Sequence, residues 1–398
     1  MLKNSRIFIN NKVSNIICSL LKSCQKKKII IKLKRVLNIK NLILTNFGRS
    51  SLFFILKNLK RNNKDEILVC SYNYYEIINV IIYANLKPVF YDLENDSLNS
   101  NYVDILNKIN DKTLGIIVTH FNGFDENTKK IKNLCSKNKI YLIEDCAIAL
   151  NTNSKIKNVS YYGDYSFFSL NFTKNLSAIT GGIIKSNKKN INELKKLITF
   201  SKYKFILNFS NYIILLILKL LNNKNFYFFL KFLIEKTNKP LRHFLNLFFK
   251  FKTEKTIPTY YLNELNYVNF NILENNIKNI KFQNEFRIRN NKYYFSNLKY
   301  KKNIINLIPV SNLNNITLEY PILFKSAQLK NKFLINVENL GLDCRKIYYT
   351  DCSNLKMFKN LKNGCLKNSK KIEKNIICLP NHPEINKKMI LEFATLIN

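Results

Sequence analysis

Two segments of the chain carry residues whose chemistry requires a protected site. The first is an apolar run that ends in Glu144 and Asp145, and a carboxylate buried there is costly unless a cation or a protonated ring nitrogen pairs with it. The second segment holds Lys174, just after another apolar run. Loss of water around such an amine lowers its pKa and makes it a competent nucleophile towards an aldehyde.

Each segment alone also has a plainer interpretation. An acidic residue at the end of a strand can cap the helix that follows, and a chain with 65 lysines and arginines places most of its lysines in solvent. The surroundings of Lys174 favour the chemical interpretation, because it stands in the run GDYSFFSLNFTKNL at 163–176, which is followed by Gly181 and Gly182. We expect an amine in so apolar a stretch to be partly desolvated.

The elements that would position these residues follow from the hydrophobic pattern. From about residue 41 to residue 184, short β-branched runs alternate with longer amphipathic stretches, which is typical of a mostly parallel sheet covered by helices in an α/β fold. The carboxyl ends of such strands face the ligand crevice, which draws attention to His120, Asp145 and Ser169. We predict strands at 66–70, 88–92, 115–120, 140–144, 165–169 and 182–185, and crossover helices at 75–84, 102–109 and 126–137.

The C-terminal part predicts a second, smaller α+β domain. A helical period runs through 263–298, followed by an apolar strand at 318–324, a helix near 329–340 and a late apolar run at 376–380. No internal repeat is visible. We therefore expect a large cofactor-binding domain at 1–200, an apolar helical insertion at 201–256 and a small C-terminal domain at 257–398.

The net charge of +39 would ordinarily indicate a polyanionic partner. Here lysine is spread over nearly every segment, while Asn, Ile, Phe and Tyr are also abundant and Trp is absent. This composition is typical of a coding bias towards A and T, so we expect no specific nucleic-acid binding. The hydrophobic fraction of 46% favours a folded chain.

Cysteine and histidine usage bears on metal sites and on the compartment. Nine cysteines occur without a CxxC pair, and the three histidines stand far from any cysteine–histidine metal spacing, so we predict no zinc site. Cys70, Cys146 and Cys378 lie in apolar runs, which is typical of small buried side chains in a reducing compartment. The best apolar stretch near the N-terminus, 15–21, is too short and too polar for a signal-peptide core. These features predict a cytoplasmic protein.

Residues 201–252 interrupt the α/β pattern with apolar segments at 205–221, 226–234 and 241–251. The longest run without a charge in this stretch, 205–218, is shorter than the about 20 residues needed to cross a bilayer. Two interpretations stay open. The segments form helices packed on the main body, or they form helices in the interface of the inner membrane face, with their basic residues towards the head groups.

The two chemical segments together resemble the DegT/StrS family of sugar-nucleotide aminotransferases, which have the fold-type-I architecture. The likeness rests on EDCA at 144–147, on GDYSFFSLNFTKNL at 163–176 and on the double glycine. It covers most of the chain and implies a large domain with a mostly parallel mixed sheet beside a small α+β domain. Further matching segments are FGRSSL at 47–52, CSYNY at 70–74, KPVFYD at 87–92, THFNG at 119–123 and LPNHP at 379–383.

The resemblance implies pyridoxal 5'-phosphate as cofactor and gives a role to each matching residue. Lys174 matches the catalytic lysine that binds the cofactor covalently, and Asp145 matches the carboxylate that keeps the ring nitrogen protonated. Tyr74 matches the aromatic residue that stacks on the ring. The hydroxyl of Ser169 matches a residue that binds the phosphate group of the cofactor, and Gly48, Arg49 and Ser50 match the helix-opening turn that binds the same phosphate.

The resemblance also implies a reaction and an assembly. A lysine at position 174 implies transamination, because the dehydrating relatives carry histidine there. The expected donor is glutamate, and the expected acceptor is a keto-sugar, nucleotide-linked, for the synthesis of cell-surface polysaccharide or glycolipid. Active sites of the family are completed across a two-fold interface, which implies a homodimer.

The chain departs from the family pattern at several positions. Ile148 replaces a glutamine, Thr180 an acidic residue and Cys70 a proline, and the substrate segment donated across the dimer has no clear counterpart near 260–270. These departures leave a second interpretation open. In it the chain keeps the fold, has lost catalysis, and serves as a membrane-surface or partner-binding protein.

Overall fold

The computed structural model describes residues 23–121, 125–150, 159–187, 191–198, 259–346, 349–361 and 364–397, with short pieces at 4, 17–19, 123 and 232. The predicted insertion at 201–256 lies outside the described residues apart from Phe232. Within the described ranges, no helix combines the length and the apolar character needed to cross a bilayer.

A seven-stranded mixed sheet forms the centre of the N-terminal part. Along the chain, the first eight strands are β1 (Leu42–Thr45), β2 (Glu66–Cys70), β3 (Tyr72–Asn73), β4 (Lys87–Tyr91), β5 (Thr113–Thr119), β6 (Tyr141–Asp145), β7 (Tyr165–Ser169) and β8 (Gly182–Ser186). All except β3 belong to the large sheet, in the order β1-β8-β7-β6-β5-β2-β4. Strands β4, β2, β5, β6 and β7 are parallel, whereas β8 and β1 are antiparallel to their neighbours. The expected α/β fold with a mostly parallel mixed sheet is confirmed.

Helices cover both faces of this sheet, because parallel neighbours require crossover connections. Successive strand residues point to opposite faces. Ile143 of β6 therefore faces a hydrophobic core cluster that includes residues of the helices at 48–58 and 75–83. Leu142 faces a second core cluster, which includes residues of the helices at 102–108 and 128–137. The helices of this part are α1 (Lys26–Leu37), α2 (Gly48–Asn58), α3 (Tyr75–Tyr83), α4 (Tyr102–Lys108), α5 (Thr128–Lys137) and α6 (Ile191–Leu197).

The C-terminal part is built on the long helix α7 (Tyr267–Leu298) and a three-stranded antiparallel sheet. The first half of α7 packs beside α1, and its second half packs on the small sheet, so this helix connects the two parts. The other elements are β9 (Ile304–Asn306), β10 (Glu319–Phe324), α8 (Ala327–Asn339), β11 (Thr350–Asp351), α9 (Lys367–Asn375), β12 (Ile376–Pro380) and α10 (Lys387–Thr395). The small sheet has the order β12-β10-β9, and β11 pairs with β3. Short 3-10 helices lie at Thr259–Leu262, Val310–Asn312, Cys352–Asn354 and Lys356–Leu361.

Candidate active site

The carboxyl ends of β6 and β7 open onto a cavity of about 380 Å³. Residues from the C-terminal part close its other side, so the cavity lies between the large sheet and the small one. Its lining includes six of the seven residues predicted from the sequence, namely Gly48, Arg49, Tyr74, Asp145, Ser169 and Lys174. The seventh, Ser50, lies behind this wall, where its side chain is buried.

Asp145 is the last residue of β6, and its carboxylate is held from two sides. Oδ1 accepts a hydrogen bond of 3.0 Å from the backbone N–H of Ala147, and the hydroxyl of Thr119 donates to the same carboxyl group. The Thr119 hydroxyl in turn accepts a bond of 3.1 Å from the Asn73 amide. Burial raises the pKa of Asp145 to about 6, although these hydrogen bonds and the charge of Lys174 oppose the rise. A cationic partner would therefore stabilise this carboxylate.

Lys174 lies across the cavity in the turn after β7, where its backbone N–H bonds to Asn171 O at 2.9 Å. Loss of water around the amine lowers its pKa to about 8, against the attraction of Asp145. An amine with this pKa is unprotonated far more often near neutral pH than an ordinary lysine. Its position in the cavity lining and its lowered pKa are the two properties that the predicted nucleophile needs.

Glu144, the other acid of the predicted pair, belongs to the opposite face of the sheet. Its Oε2 lies 2.7 Å from His120 Nε2 and accepts a bond of 2.7 Å from Ser160 N–H. His120 Nδ1 accepts from Asp125 N–H, so the ring proton is on Nε2 and points at Glu144. Burial alone would raise the pKa of Glu144, but the His120 and backbone hydrogen bonds outweigh it and lower the pKa. Topology drew attention to His120, and the structure places it in this buried network rather than in the cavity wall.

The N-terminus of α2 forms a cradle beside Ser169. The N-cap residue Phe47 provides no side-chain cap, so the first N–H groups of the helix lack partners within it. A Cβ on Gly48 would lie 3.1 Å from Ser169 Cβ, and a Cβ on Gly182 would lie 2.3 Å from Phe47 O. The approach to a backbone oxygen requires glycine at position 182, whereas a side chain at position 48 would need Ser169 to shift by a few tenths of an ångström. Ser50 contributes a buried hydroxyl without a hydrogen-bond partner.

The side chains of Arg49 and Tyr74 lie at the rim of this cradle. Arg49 forms an ion pair of 3.0 Å with Glu76, and its guanidinium lies over the Tyr261 ring. The charge of Arg49 is therefore already paired within the protein. Tyr74 is 41% exposed and lines the cavity, where its ring is available to a planar ligand.

The C-terminal wall of the cavity was not predicted from the sequence. It contains Arg287 from α7, Glu319 from the start of β10, and Arg345. These residues are far apart in the sequence and belong to no motif. The only sequence signal for Arg287 and Arg345 is that they are arginines in a chain whose cations are mostly lysine, and Glu319 has none. Other residues of the wall are Leu318, Tyr349 and His382, of which His382 falls in the LPNHP segment.

The fold of this chain is that of the fold-type-I aminotransferases of known structure. The solved structure of the Helicobacter pylori aminotransferase PseC, involved in the biosynthesis of pseudoaminic acid, matches with a TM-score of 0.74 and 18% identity over 100% of this chain and 98% of that chain. A GDP-4-keto-6-deoxymannose-3-dehydratase structure matches with a TM-score of 0.72 and 13% identity over 100% of both chains. At these identities the likeness concerns the fold.

The chain belongs to the DegT/DnrJ/EryC1/StrS aminotransferase family, whose sequence profile matches residues 25–204 and 259–397. The GDP-perosamine synthase of Vibrio cholerae is 32% identical over 151 residues, which are 38% of this chain and 41% of that protein. The UDP-N-acetyl-3-dehydro-α-D-glucosamine 3-aminotransferase of Acidithiobacillus ferrooxidans is 28% identical over 135 residues, which are 34% of this chain and 37% of that protein. These matches thus span about two fifths of each relative's length. The resemblance read from the sequence is confirmed.

Proposed function

We propose that this protein is a pyridoxal-phosphate-dependent aminotransferase that gives an amino group to a nucleotide-linked keto-sugar, with glutamate as the donor. The proposal rests on the convergence of the Lys174 amine, the Asp145 carboxylate and the uncapped N-terminus of α2 on one cavity. Family membership supports the reaction class. The names of the two relatives support a nucleotide-linked sugar. The product would enter the synthesis of cell-surface polysaccharide or glycolipid.

The residues present fit pyridoxal phosphate. Its phosphate group needs several hydrogen-bond donors, and the backbone N–H groups of Gly48, Arg49 and Ser50 at the start of α2, together with the Ser169 hydroxyl, would supply them. Asp145 would pair with the protonated ring nitrogen, because a cationic partner relieves the cost of its buried charge. Tyr74 would cover one face of the ring.

Different residues of the chain would then have different roles in the reaction. When bound, pyridoxal phosphate supplies an aldehyde that condenses with amines and a ring that withdraws electrons from the neighbouring carbon. Lys174 would hold the cofactor and later move the proton at the substrate carbon next to the nitrogen, a role that its lowered pKa favours. Asp145, fixed by Ala147 and Thr119, would keep the ring nitrogen protonated. Ile148, which lines the cavity where the family has glutamine, offers an apolar contact and no hydrogen bond to the cofactor.

The cofactor assignment is tested on the purified protein. Loaded with pyridoxal phosphate, it should absorb in the visible range, and borohydride should fix the cofactor to the peptide that contains Lys174, as mass spectrometry would show. Lys174→Ala should lose both signals, whereas Lys137→Ala, a change of an exposed lysine on α5, should keep them. Labelling that persists in Lys174→Ala would contradict the assignment. A wild-type protein that binds no cofactor would support the non-catalytic alternative.

The substrate class is tested separately. Protein loaded with cofactor is incubated with glutamate and then with GDP-linked and UDP-linked 4-keto and 3-keto sugars, and aminated products are identified by mass spectrometry. We expect amination of at least one nucleotide-linked sugar. Amination of a free or lipid-linked keto-sugar alone would refute the nucleotide-linked substrate while keeping the aminotransferase.

We further propose a cytoplasmic protein that contacts the inner membrane face through residues 205–251. The support is the sequence: apolar stretches flanked by lysines, each of which could add about 1 kcal/mol of attraction near anionic lipid. Co-sedimentation with anionic vesicles should detect this contact, and changing Leu215, Leu216 and Leu218 to Asp should abolish it without unfolding the protein. No sedimentation of the intact protein at low salt would refute membrane contact and favour helices packed on the main body.

A further inference from the structure

The turn that carries Lys174 is held by the side chain of the next residue, Asn175. This side chain is buried, and its amide nitrogen donates two hydrogen bonds. One goes to the backbone carbonyl of Leu150 at 3.0 Å, and the other goes to Asn284 Oδ1 on α7 at 3.2 Å. A backbone carbonyl can only accept, so the amide nitrogen rather than the amide oxygen must face Leu150. Both N–H groups of this amide therefore have an acceptor.

Two more amide side chains of α7 contact the loop before β8. Asn276 Nδ2 donates to Ser177 O at 2.8 Å, and Asn269 Nδ2 donates to Thr180 O at 3.2 Å. Together with Asn284 they form a row on one face of α7, because their spacing in the sequence is close to two helical turns. All three are buried. A buried amide is costly without a partner, so each of these bonds also fixes where the loop lies on the helix.

The bond to Leu150 connects the lysine turn to the segment that leaves β6 at Asp145. Within that segment, the Ala147 N–H donates to the Asp145 carboxylate at 3.0 Å. Asn175 thus joins the two stretches of chain that carry Lys174 and Asp145. A cofactor that is attached to the lysine and paired with the carboxylate contacts both through one rigid ring. The separation of the two residues must therefore match the dimensions of that ring.

We propose that Asn175 is a positioning residue, which holds the backbone of Lys174 at the distance from Asp145 that the cofactor ring requires. Asn284 is its second anchor. The lysine side chain is a flexible four-carbon stem, so its amine has a defined place in the cavity only if the backbone beneath it is fixed. Asn175 acts through Lys174, which lines the cavity. The inference rests on the proposed function, because it concerns how the cofactor meets its lysine.

The test compares two forms of the cofactor. Pyridoxal phosphate forms a covalent bond with a lysine, whereas pyridoxamine phosphate has an amine in place of the aldehyde and forms none. Equilibrium dialysis of the full chain should show that Asn175→Ala weakens pyridoxal phosphate binding by about tenfold, the change expected for a lost buried hydrogen bond. The affinity for pyridoxamine phosphate should stay close to that of wild type. The control Asn279→Ala, at an exposed position of α7, should leave both affinities unchanged.

This comparison separates positioning from general support of the fold. A structural role would weaken the binding of both forms equally, and that result would overturn the proposal. Wild-type affinity of Asn175→Ala for both forms would overturn it as well. In a Lys174→Ala background, Asn175→Ala should have no further effect on either affinity, because the residue through which it acts is gone. A further loss of pyridoxal phosphate affinity in that background would contradict the proposal.

Asn284→Ala keeps the proposal testable if Asn175→Ala does not fold. It removes one acceptor and leaves the bond to Leu150, so pyridoxal phosphate should bind several-fold more weakly and pyridoxamine phosphate as in wild type. Borohydride labelling of wild type distinguishes the two levels of failure. If wild type is not labelled at Lys174, the proposed function fails. If wild type is labelled and the variants bind both forms like wild type, or lose both equally, only the positioning role fails.

Discussion

Asp145→Asn should make the protein without cofactor more stable, and the size of the gain should depend on pH. Burial lifts the pKa of Asp145 from its ordinary value of 3.8 to about 6. This rise corresponds to about 3 kcal/mol, because one pKa unit equals about 1.4 kcal/mol. The folded pKa is the higher one, so the native state loses stability as pH rises through about 6, and the loss is absent below about pH 4. Asparagine is never charged and can still accept from Ala147 N–H, so it avoids the loss.

The measurement is urea unfolding of the cofactor-free protein at pH 8 and at pH 4, for wild type, Asp145→Asn and the exposed control Asp111→Asn. The first variant should be more stable than wild type by up to about 3 kcal/mol at pH 8 and by little at pH 4. The control should match wild type at both values. With pyridoxal phosphate added, the order should reverse, because only the carboxylate pairs with a protonated ring nitrogen. Equal destabilisation of Asp145→Asn at both pH values would refute the reasoning.

Three further outcomes are expected. Gly182→Ala should lower the free energy of unfolding by about 1–3 kcal/mol and weaken cofactor binding, because the Cβ of the new alanine would lie 2.3 Å from Phe47 O. A variant with wild-type stability and cofactor affinity would contradict this, because it would show that the turn before α2 can move without cost. Thr119→Val should raise the pKa of Asp145 further, because it removes a hydrogen-bond donor. As the pH is lowered, the variant should therefore lose cofactor affinity at a higher pH than wild type does. Thr119→Ser should restore the wild-type dependence of cofactor affinity on pH. Light scattering should report a homodimer of twice the 47.0 kDa chain mass, and an active monomer would refute that assembly.

The parallel strands and their ends could be predicted from the sequence because each is a compact apolar run. The predicted strands at 66–70 and 165–169 coincide with β2 and β7, and the others of the large sheet differ from the observed bounds by one or two residues. Strand β1 was missed. It contributes only Leu42–Thr45, at the edge of the sheet, and its pairing with β8 is a long-range contact that no local pattern reports.

The site was predictable where one segment contributes both the element and the chemistry. Lys174 and Ser169 share a segment, whereas Gly48 was expected only from the family resemblance, since the strand before it, β1, was missed. Thr119 could have been found, because parallel pairing puts it opposite Asp145 in the register of β5 and β6. Arg287 and Glu319 could not, because their approach to the cavity depends on how α7 and the small sheet pack against the large one.

Glu144 and Asp145 are neighbours at the end of β6, but their side chains lie in different surroundings, the first in a buried hydrogen-bond network and the second in the cavity lining. Successive side chains point to opposite faces, so Glu144 meets His120 and the backbone N–H of Ser160, while Asp145 meets the cavity. The first carboxylate has enough donors that its pKa falls despite burial. The second has too few to offset burial, and its pKa rises. Exchanging the two residues would place the longer side chain in the cavity and leave His120 without an acceptor at 2.7 Å, so the order Glu then Asp is set by the alternation of the strand. The carboxylate with too few donors is the one that lines the same cavity as Lys174, and for this reason we propose Asp145 rather than Glu144 as the partner for a cation that arrives with a ligand.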